Sequence, residues 1–222
     1  MTRLVQWTLL AGLEPRARDE FVGLGRSRDF GRHQIVCHAG DPADALHLVE
    51  AGHLAVRVGL ASGATATLNI LGPGDYFGEL ALLRPDGRRT ATVLALEPSR
   101  TLAIAGSAFE ALRARNPAVE RALSTILADR VDTLSQRLVN SMYDSLDRRV
   151  LLRLVELASS YGQDGGTATI PLSQTELADL VGATRPSVNQ VLQRLASQQV
   201  IVLRRARIDI VDVEALARAC DA

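Results

Sequence analysis

A change of hydrophobic periodicity divides the chain, and this change limits the folds that it can adopt. Between residues 33 and 104, short apolar and β-branched runs alternate with turn residues, which is the pattern of strands. Beyond residue 117, apolar residues instead recur every three or four positions, which is the pattern of helices. We therefore predict an α+β protein, in which a β-rich N-terminal part precedes a largely helical C-terminal part.

Six short runs form the predicted strands, and a short helical pattern lies before them in residues 1–30. The runs are Gln34–Cys37, Ala45–Val49, Leu54–Val58, Thr67–Leu71, Thr90–Leu94 and Arg100–Ile104. Turn signals separate them, at Gly40-Asp41, Gly52, Ser62-Gly63, Gly72–Asp75 and Asp86-Gly87. Many short strands at close spacing predict a sandwich, roll or barrel.

A long helical segment follows, and its apolar residues predict a partner helix. After a short helix near Ser107–Arg115, Pro117 opens a segment that reaches about Leu146. Residues at a 4-3-4-3-4 spacing within it are Leu127, Val131, Leu134, Leu138, Ser141 and Ser145. This spacing is an a/d seam, typical of two helices wrapped on each other. It predicts a homodimer, and the alternative is one helix packed on its own domain.

The composition is that of an ordinary globular chain. The 222 residues are 47% hydrophobic and 23% charged, with a formal net charge of zero, so any DNA contact must come from local placement of charge. Cys37 and Cys220 show neither disulfide nor metal spacing. No apolar stretch reaches membrane length, and no signal pattern is present. We expect a cytoplasmic protein that does not contact a membrane.

The segment from Phe77 to Val93 carries the clearest signal of a binding site. Gly78 allows the backbone to approach a ligand closely, and a short helix beginning at Glu79 would present free N–H groups that suit an anion. Arg89 is a natural bidentate partner for a phosphate, and Thr90 adds a hydroxyl donor. A carboxylate beside this anion makes sense if Glu79 accepts a hydrogen bond from a sugar hydroxyl.

Two capping signals in the C-terminal region predict a pair of short helices. Ser173-Gln174-Thr175-Glu176 is a capping box, and Gly182 ends the helix that it opens in a tight turn. Thr184 can cap the next helix, in whose first turn Pro186 is tolerated. Two short helices joined by a glycine turn form a helix-turn-helix. Such a motif reads DNA, although it can also serve protein contacts.

Polar side chains on these helices are candidates for DNA contacts. Arg185 to a guanine and Gln190 to an adenine are candidate base pairings. Candidate phosphate contacts are Ser173, Thr175, Ser187 and Asn189. The runs Val200–Leu203 and Arg207–Val211 would add a wing hairpin to the helix-turn-helix.

These features, in this order, resemble the Crp/Fnr family of bacterial regulators over essentially the whole chain. Gly78-Glu79-Leu80, followed about ten residues later by Arg89-Thr90-Ala91, is similar to the phosphate-binding cassette of cyclic-nucleotide-binding domains. The resemblance implies that Arg89 binds the cyclic phosphate and that Glu79 binds the ribose 2′-hydroxyl, with Gly78, Leu80 and Thr90 completing the site. The alternative is an Arg89–Glu79 ion pair that merely holds a loop, as in relatives that keep this fold without a nucleotide.

The resemblance also implies that the long helix contributes to the base pocket. The positions that contact adenine in cAMP-binding relatives fall on Leu134 and Ser135, and Arg130 matches a pocket arginine. Ser135 keeps the expected residue type, whereas Leu134 replaces a threonine. We expect a cyclic nucleotide as effector, with cAMP as the first choice. A cyclic GMP, cyclic dinucleotide or ligand-independent regulator is the alternative.

In the recognition helix, Arg185 matches an arginine that contacts guanine in cAMP-responsive relatives. An acidic reader of those relatives is Pro186 here, and a second arginine reader is Gln190, so we predict a different half-site. The expected partners are double-stranded DNA with a pseudo-palindromic site and a second copy of the chain, with RNA polymerase as a further candidate. The predicted domains are a nucleotide-binding β-roll (1–116), a dimerisation helix (117–146) and a winged helix-turn-helix (147–222).

Two other functional classes have little support in the residues. His33, His38, His47 and His53 cluster near Cys37, but no pair has convincing ligand spacing for a metal or haem. The chain has no nucleophile elbow, no Walker loop and no paired catalytic carboxylates. We expect neither a metal site nor an enzyme, and we assign no catalytic residue.

Overall fold

The computed structural model describes residues 5–61, 63, 65–162 and 166–220. The described residues divide into two compact units. The first contains those up to Gly59 and from Leu68 to Thr133, and the second contains Leu60–Thr67 and the residues from Leu134 onward.

The N-terminal half contains a 3-10 turn, a helix and two sheets. The turn is Thr8–Leu10, and helix α1 is Pro15–Gly23. The strands are β1 Arg26–Phe30, β2 Ile35–Cys37, β3 Ala45–Ala51, β4 Leu54–Gly59, β5 Thr65–Leu71, β6 Tyr76–Phe77, β7 Thr92–Ala95 and β8 Ser99–Ala105. They form two four-stranded sheets with the orders β1-β8-β3-β6 and β2-β7-β4-β5. The predicted β-roll is therefore confirmed, and the strands β1 and β8, β3 and β8, and β4 and β7 pair antiparallel.

The burial of strand β3 explains why apolar residues occupy four of the five positions from Ala45 to Val49 instead of alternating with polar ones. All five residues from Ala45 to Val49 are buried. Leu46 and Leu48 pack in a cluster with Phe21 of α1 and Phe109 of the third helix. Val49 belongs to a second cluster with strand residues such as Leu54 and Val93. A strand that is covered on both faces needs apolar residues on both.

Three helices follow or interrupt these strands: α2 Glu79–Leu83, α3 Gly106–Arg115 and α4 Pro117–Tyr143. Helix α4 ends three residues before the predicted Leu146 because Ser145 caps the next helix, accepting a hydrogen bond from the Arg148 N–H group. Ser145, predicted as the last seam residue, therefore lies outside α4, and this part of the prediction is wrong.

The second unit contains a three-stranded sheet and four helices after α4. The helices are α5 Leu146–Tyr161, α6 Gln174–Val181, α7 Arg185–Ser197 and α8 Val213–Cys220. The strands are β9 Ala168–Ile170, β10 Ile201–Arg204 and β11 Arg207–Ile210, in the order β10-β11-β9. Leu154, Leu177 and Leu192 from three of the helices are fully buried and form part of the core. This fold is the predicted winged helix-turn-helix.

Among the helices that the structure describes, none is both long and apolar enough to cross a membrane.

Candidate effector site and DNA-reading surface

At the end of β6, a glycine brings the main chain against the side chain of Arg89. Gly78 has a φ angle of +98° and directly precedes α2. A Cβ atom on Gly78 would lie 2.2 Å from Nη1 of Arg89 and 2.9 Å from the carbonyl oxygen of Ala45. Because the backbone is left-handed and the space is filled, no residue with a side chain fits without a shift.

The Arg89 guanidinium is buried, and only part of its hydrogen-bonding capacity is used. The residue is 5% exposed, and Nη2 donates to the Ala45 carbonyl oxygen at 2.8 Å and to Asp44 Oδ1 at 3.2 Å. Nη1 is buried and has no hydrogen-bond partner among the described residues. A buried cationic donor without a partner is costly, and the oxygens of an anion would supply the missing acceptor. These residues therefore fit a phosphate.

A buried carboxylate and a second arginine lie in the same unit. Glu79 is 1% exposed, and its Oε1 accepts a hydrogen bond from Nη1 of Arg130, which extends from α4. The Arg130 guanidinium also lies over the ring of Tyr76, 5.6 Å from its centroid. Burial, and then the charge of Glu79, raise the pKa of Tyr76. The Arg89–Glu79 ion pair considered above is not formed, since Glu79 pairs with Arg130 and Arg89 with Asp44.

The structure thus places Gly78, Glu79, Arg89 and Arg130 in one unit. Other predicted site residues are exposed to solvent. Thr90 is exposed, and Leu80 is 38% exposed. Leu134 and Ser135 lie on the part of α4 that belongs to the second unit, and both are exposed. Two partners of Arg89, Asp44 and the Ala45 carbonyl, were missed, because they lie more than forty positions away at the start of β3.

The histidines near this site have structural partners or are exposed. His47 is buried, stacks on Phe77 at a centroid distance of 4.7 Å, and its Nδ1 lies 3.0 Å from Oγ1 of Thr101. Burial, with a smaller effect of the Arg89 charge, lowers the pKa of His47 to about 4. His53 pairs with Glu97 through Nδ1 at 2.6 Å. Across the described ranges, no three His, Cys, Asp or Glu side chains are arranged to hold a metal ion.

Both predicted caps of the helix-turn-helix are present. Ser173 Oγ accepts a hydrogen bond from the Glu176 N–H group at 3.2 Å, and Glu176 Oε2 accepts one from the Ser173 N–H group at 2.8 Å. The Gly182 turn after α6 has a φ angle of +65°. Thr184 caps α7, where its Oγ1 accepts a hydrogen bond from the Ser187 N–H group at 3.4 Å.

The residues predicted to contact DNA differ in their solvent exposure and in whether their polar groups already have hydrogen-bond partners. Arg185, Gln190 and Thr175 are exposed, and Ser173 is half-buried. The Ser187 hydroxyl lies 2.9 Å from Oγ1 of Thr184 and so is already engaged in the cap. Asn189 is half-buried, and its Oδ1 atom is buried without a hydrogen-bond partner in the described part of the chain.

A concavity of about 360 Å³ lies between the start of α6 and the wing turn. Its polar lining includes Ser173, Thr175, Arg185 and the wing segment 204–207. Hydroxyl groups and arginine side chains at one concave surface suit the phosphates of a nucleic acid backbone.

A β-roll with this anion cassette and a winged helix-turn-helix on one chain define a transcription regulator of the cyclic-nucleotide-binding type. Two family models match the chain: the cyclic nucleotide-binding domain at residues 27–116 and the Crp-like helix-turn-helix domain at residues 148–219. The chain is 32% identical over 213 residues to the CRP-like cAMP-activated global transcriptional regulator of Mycobacterium tuberculosis, covering 95% of both chains. It is 30% identical over 202 residues to the cyclic AMP receptor protein of Thermus thermophilus, covering 91% of both. The protein belongs to the Crp/Fnr family.

Solved structures agree with this assignment. The catabolite activator protein of Thermus thermophilus is 28% identical, with a TM-score of 0.55 over 96% of this chain and 98% of that one. The c-di-GMP responsive global regulator CLP of Xanthomonas campestris is 19% identical, with a TM-score of 0.73 over 89% and 99%, and it shares the fold.

Proposed function

We propose that the protein is a cytoplasmic, homodimeric regulator whose binding to a pseudo-palindromic DNA site is controlled by a cyclic nucleotide, with cAMP as the effector. The observation that carries the proposal is the buried Arg89, whose Nη1 has no hydrogen-bond partner among the described residues. Two of the relatives named above are described as cAMP-activated or as a cyclic AMP receptor. The effector domain is 1–116, the dimerisation segment that contains α4 is 117–146, and the DNA-binding domain is 147–222.

In this proposal the cyclic phosphate binds Nη1 of Arg89 and the hydroxyl of Thr90. Glu79 accepts a hydrogen bond from the ribose 2′-hydroxyl, beside the bond that it already accepts from Arg130. Leu80 and Gly78 close the sugar-phosphate site, and Arg130, Leu134 and Ser135 serve the base. Binding changes the packing of the two α4 helices, and so changes the spacing of the two recognition helices.

The nucleobase of the effector depends on residues of α4, and one of them differs from the cAMP-binding pattern. Leu134 cannot form the hydrogen bond that a threonine would offer to adenine. The structural neighbour CLP is described as responsive to c-di-GMP. A cyclic GMP or cyclic dinucleotide effector is therefore the second candidate.

Titration calorimetry with cAMP, cyclic GMP and cyclic di-GMP tests the effector site. We expect wild type to bind cAMP and Arg89→Ala to weaken it by about 100-fold or more, since a desolvated charge contact is lost. The matched control is Arg88→Ala, because Arg88 is exposed and donates to the Gly40 carbonyl instead. A wild-type protein that binds none of the three nucleotides would reject the proposal and favour a ligand-independent regulator.

Selection from random DNA tests the reader. A two-fold dimer should select a symmetric motif with half-sites about one helical turn apart. Arg185→Ala should lose one guanine preference, because Arg185 is proposed to contact that base. Ser173, Thr175, Ser187, Asn189 and Gln190 complete the proposed DNA contacts. An asymmetric motif would contradict the dimeric reader.

A further inference from the structure

We infer that the wing carries an additional DNA contact, in which Arg205 enters the minor groove beside each half-site and reads its width. This inference rests on the proposed DNA-binding function, and it concerns a residue outside the helix-turn-helix. It predicts a preference for A·T pairs flanking the bases that α7 contacts.

Arg205 lies at the tip of a tight hairpin. Arg204 of β10 pairs with Arg207 of β11 in the strand register, so Arg205 and Ala206 alone form the turn. Ala206, the second turn residue, has a left-handed backbone with a φ angle of +52°, as the second central residue of a type II turn has. Arg205 is exposed, and a single arginine side chain, unlike the hairpin itself, is narrow enough to enter a minor groove about 6 Å wide.

The two neighbouring arginines are held by one carboxylate. Asp209 Oδ2 accepts hydrogen bonds from Nε of Arg204 at 2.8 Å and from Nη2 of Arg207 at 2.9 Å. Asp209 also accepts a hydrogen bond from the Thr169 hydroxyl at 3.1 Å. Although desolvation opposes the shift, these hydrogen bonds lower the pKa of Asp209, which therefore stays ionised at neutral pH. The flanking guanidinium groups are thus anchored to the protein.

Arg205 is different from its neighbours, since it has no ion-pair or hydrogen-bond partner among the described residues. Its positive charge is not compensated by a carboxylate of the wing. A guanidinium is also less strongly hydrated than an ammonium group. An exposed arginine of this kind can leave water for a groove at low cost.

The position of the turn decides which groove it reaches. The concavity beside the turn includes Ser173, Thr175 and Arg185, together with segment 204–207. When α7 lies in the major groove, a backbone strand that passes through this concavity separates the helix from the wing turn. The far side of that strand is the adjacent minor groove. Narrow minor grooves of A·T-rich DNA have an enhanced negative potential, which attracts arginine side chains.

The test uses the full-length protein and the site that wild type selects. Three duplexes share the half-sites and differ only in the flanks, which contain A·T, G·C or inosine·C pairs. Inosine lacks the guanine amino group, so an inosine·C flank resembles A·T in the minor groove and G·C in the major groove. Binding is measured by fluorescence anisotropy at one salt concentration, with saturating cAMP present.

We expect wild type to bind the A·T and inosine·C flanks about fivefold more tightly than the G·C flanks. Arg205→Ala should bind all three duplexes equally, and Arg205→Lys should recover only part of the preference. The control is Arg218→Ala on α8, which removes an exposed arginine of the same unit that faces Asp212 and Glu214. This control should keep the wild-type preference.

Two outcomes would overturn the inference. One is a wild type that selects DNA without a flank preference, and the other is an Arg205→Ala protein that keeps the preference. If that variant also binds all three duplexes more weakly by the same factor, with a salt slope lower by about 0.9, Arg205 contacts a phosphate instead. A wild type that selects no DNA would instead reject the proposed function, and this inference with it.

Discussion

Single residues in the proposed effector site are constrained by backbone geometry as much as by chemistry. Gly78 has a left-handed backbone and leaves no room for a Cβ atom beside Arg89. Arg89 is held by Ala45 and Asp44 through Nη2. Because the guanidinium is planar, these two bonds also fix the position of Nη1. Glycine at this position and arginine eleven residues later therefore depend on each other for their placement.

Gly78→Ala should impair effector binding, and Gly87→Ala should not. Both glycines have positive φ angles, but a Cβ atom on Gly87 would meet no heavy atom within 4 Å. Each substitution should cost about 1 kcal/mol of backbone strain, and only Gly78→Ala should also displace the guanidinium. Calorimetry and thermal unfolding of both variants separate these effects. Equal effector affinity in the two variants would contradict the assigned role of Gly78.

His47 should make the stability of the β-roll depend on pH. Burial lowers the pKa of His47 from 6.5 to about 4 in the folded state, so the unfolded state binds more protons between these values. The free energy of unfolding should therefore fall as the pH decreases from about 6.5 to about 4. The loss attributable to His47 is up to about 3 kcal/mol.

Denaturant unfolding across this pH range checks that expectation. His47→Gln should show a smaller decrease than wild type, whereas His38→Gln, at an exposed position, should follow wild type. Identical pH profiles for wild type and His47→Gln would show that His47 does not carry this dependence.

At the scale of secondary structure elements, α4 leaves a row of apolar residues uncovered in the single chain. Val131, Leu134 and Leu138 are 61%, 58% and 62% exposed in the single chain. They recur at the a/d spacing of a helix pair, and exposed apolar rows of this kind mark interaction surfaces. A second copy of α4 is the partner that such a pattern suits.

Leu138→Asp should therefore dissociate the proposed homodimer. A charge buried without a partner in each helix should raise the dimer dissociation constant by about 100-fold or more. Gln136→Asp places the same charge nearly opposite on α4 and should leave the dimer intact. Sedimentation equilibrium of the three proteins gives the result. A wild type that is monomeric, or a dimeric Leu138→Asp protein, would exclude this seam.

At the scale of the whole molecule, the chain joins two units with different tasks. The cassette residues Gly78, Glu79 and Arg89 belong to the first unit, and the helix-turn-helix belongs to the second. If the effector favours the DNA-binding state, linkage requires that DNA favours the effector-bound state by the same factor.

The coupling between effector and DNA should thus be reciprocal. The factor by which cAMP tightens binding to the selected site should equal the factor by which that site tightens cAMP binding. Anisotropy gives the first factor and calorimetry gives the second, and Arg89→Ala should bring the first factor to one. A DNA affinity that does not change with effector would support the ligand-independent regulator instead.

The sequence by itself determined those features that depend on neighbouring residues. Ser173 and Glu176, or Thr184 and Ser187, meet within one helical turn, so their spacing is enough to place α6 and α7. Alternation of strands and turns likewise predicted the β-roll. Short range is the physical reason, because caps and periodicity need no knowledge of the rest of the fold.

Only the tertiary structure decided which distant groups meet. Arg89 binds the Ala45 carbonyl 44 positions away, and Glu79 binds Arg130 51 positions away. Strand β1, Arg26–Phe30, has four exposed residues and no apolar pattern, so its sequence does not predict a strand. It is a strand because it pairs with β8. Such partners depend on strand register and helix packing, which are set by the burial of many side chains together.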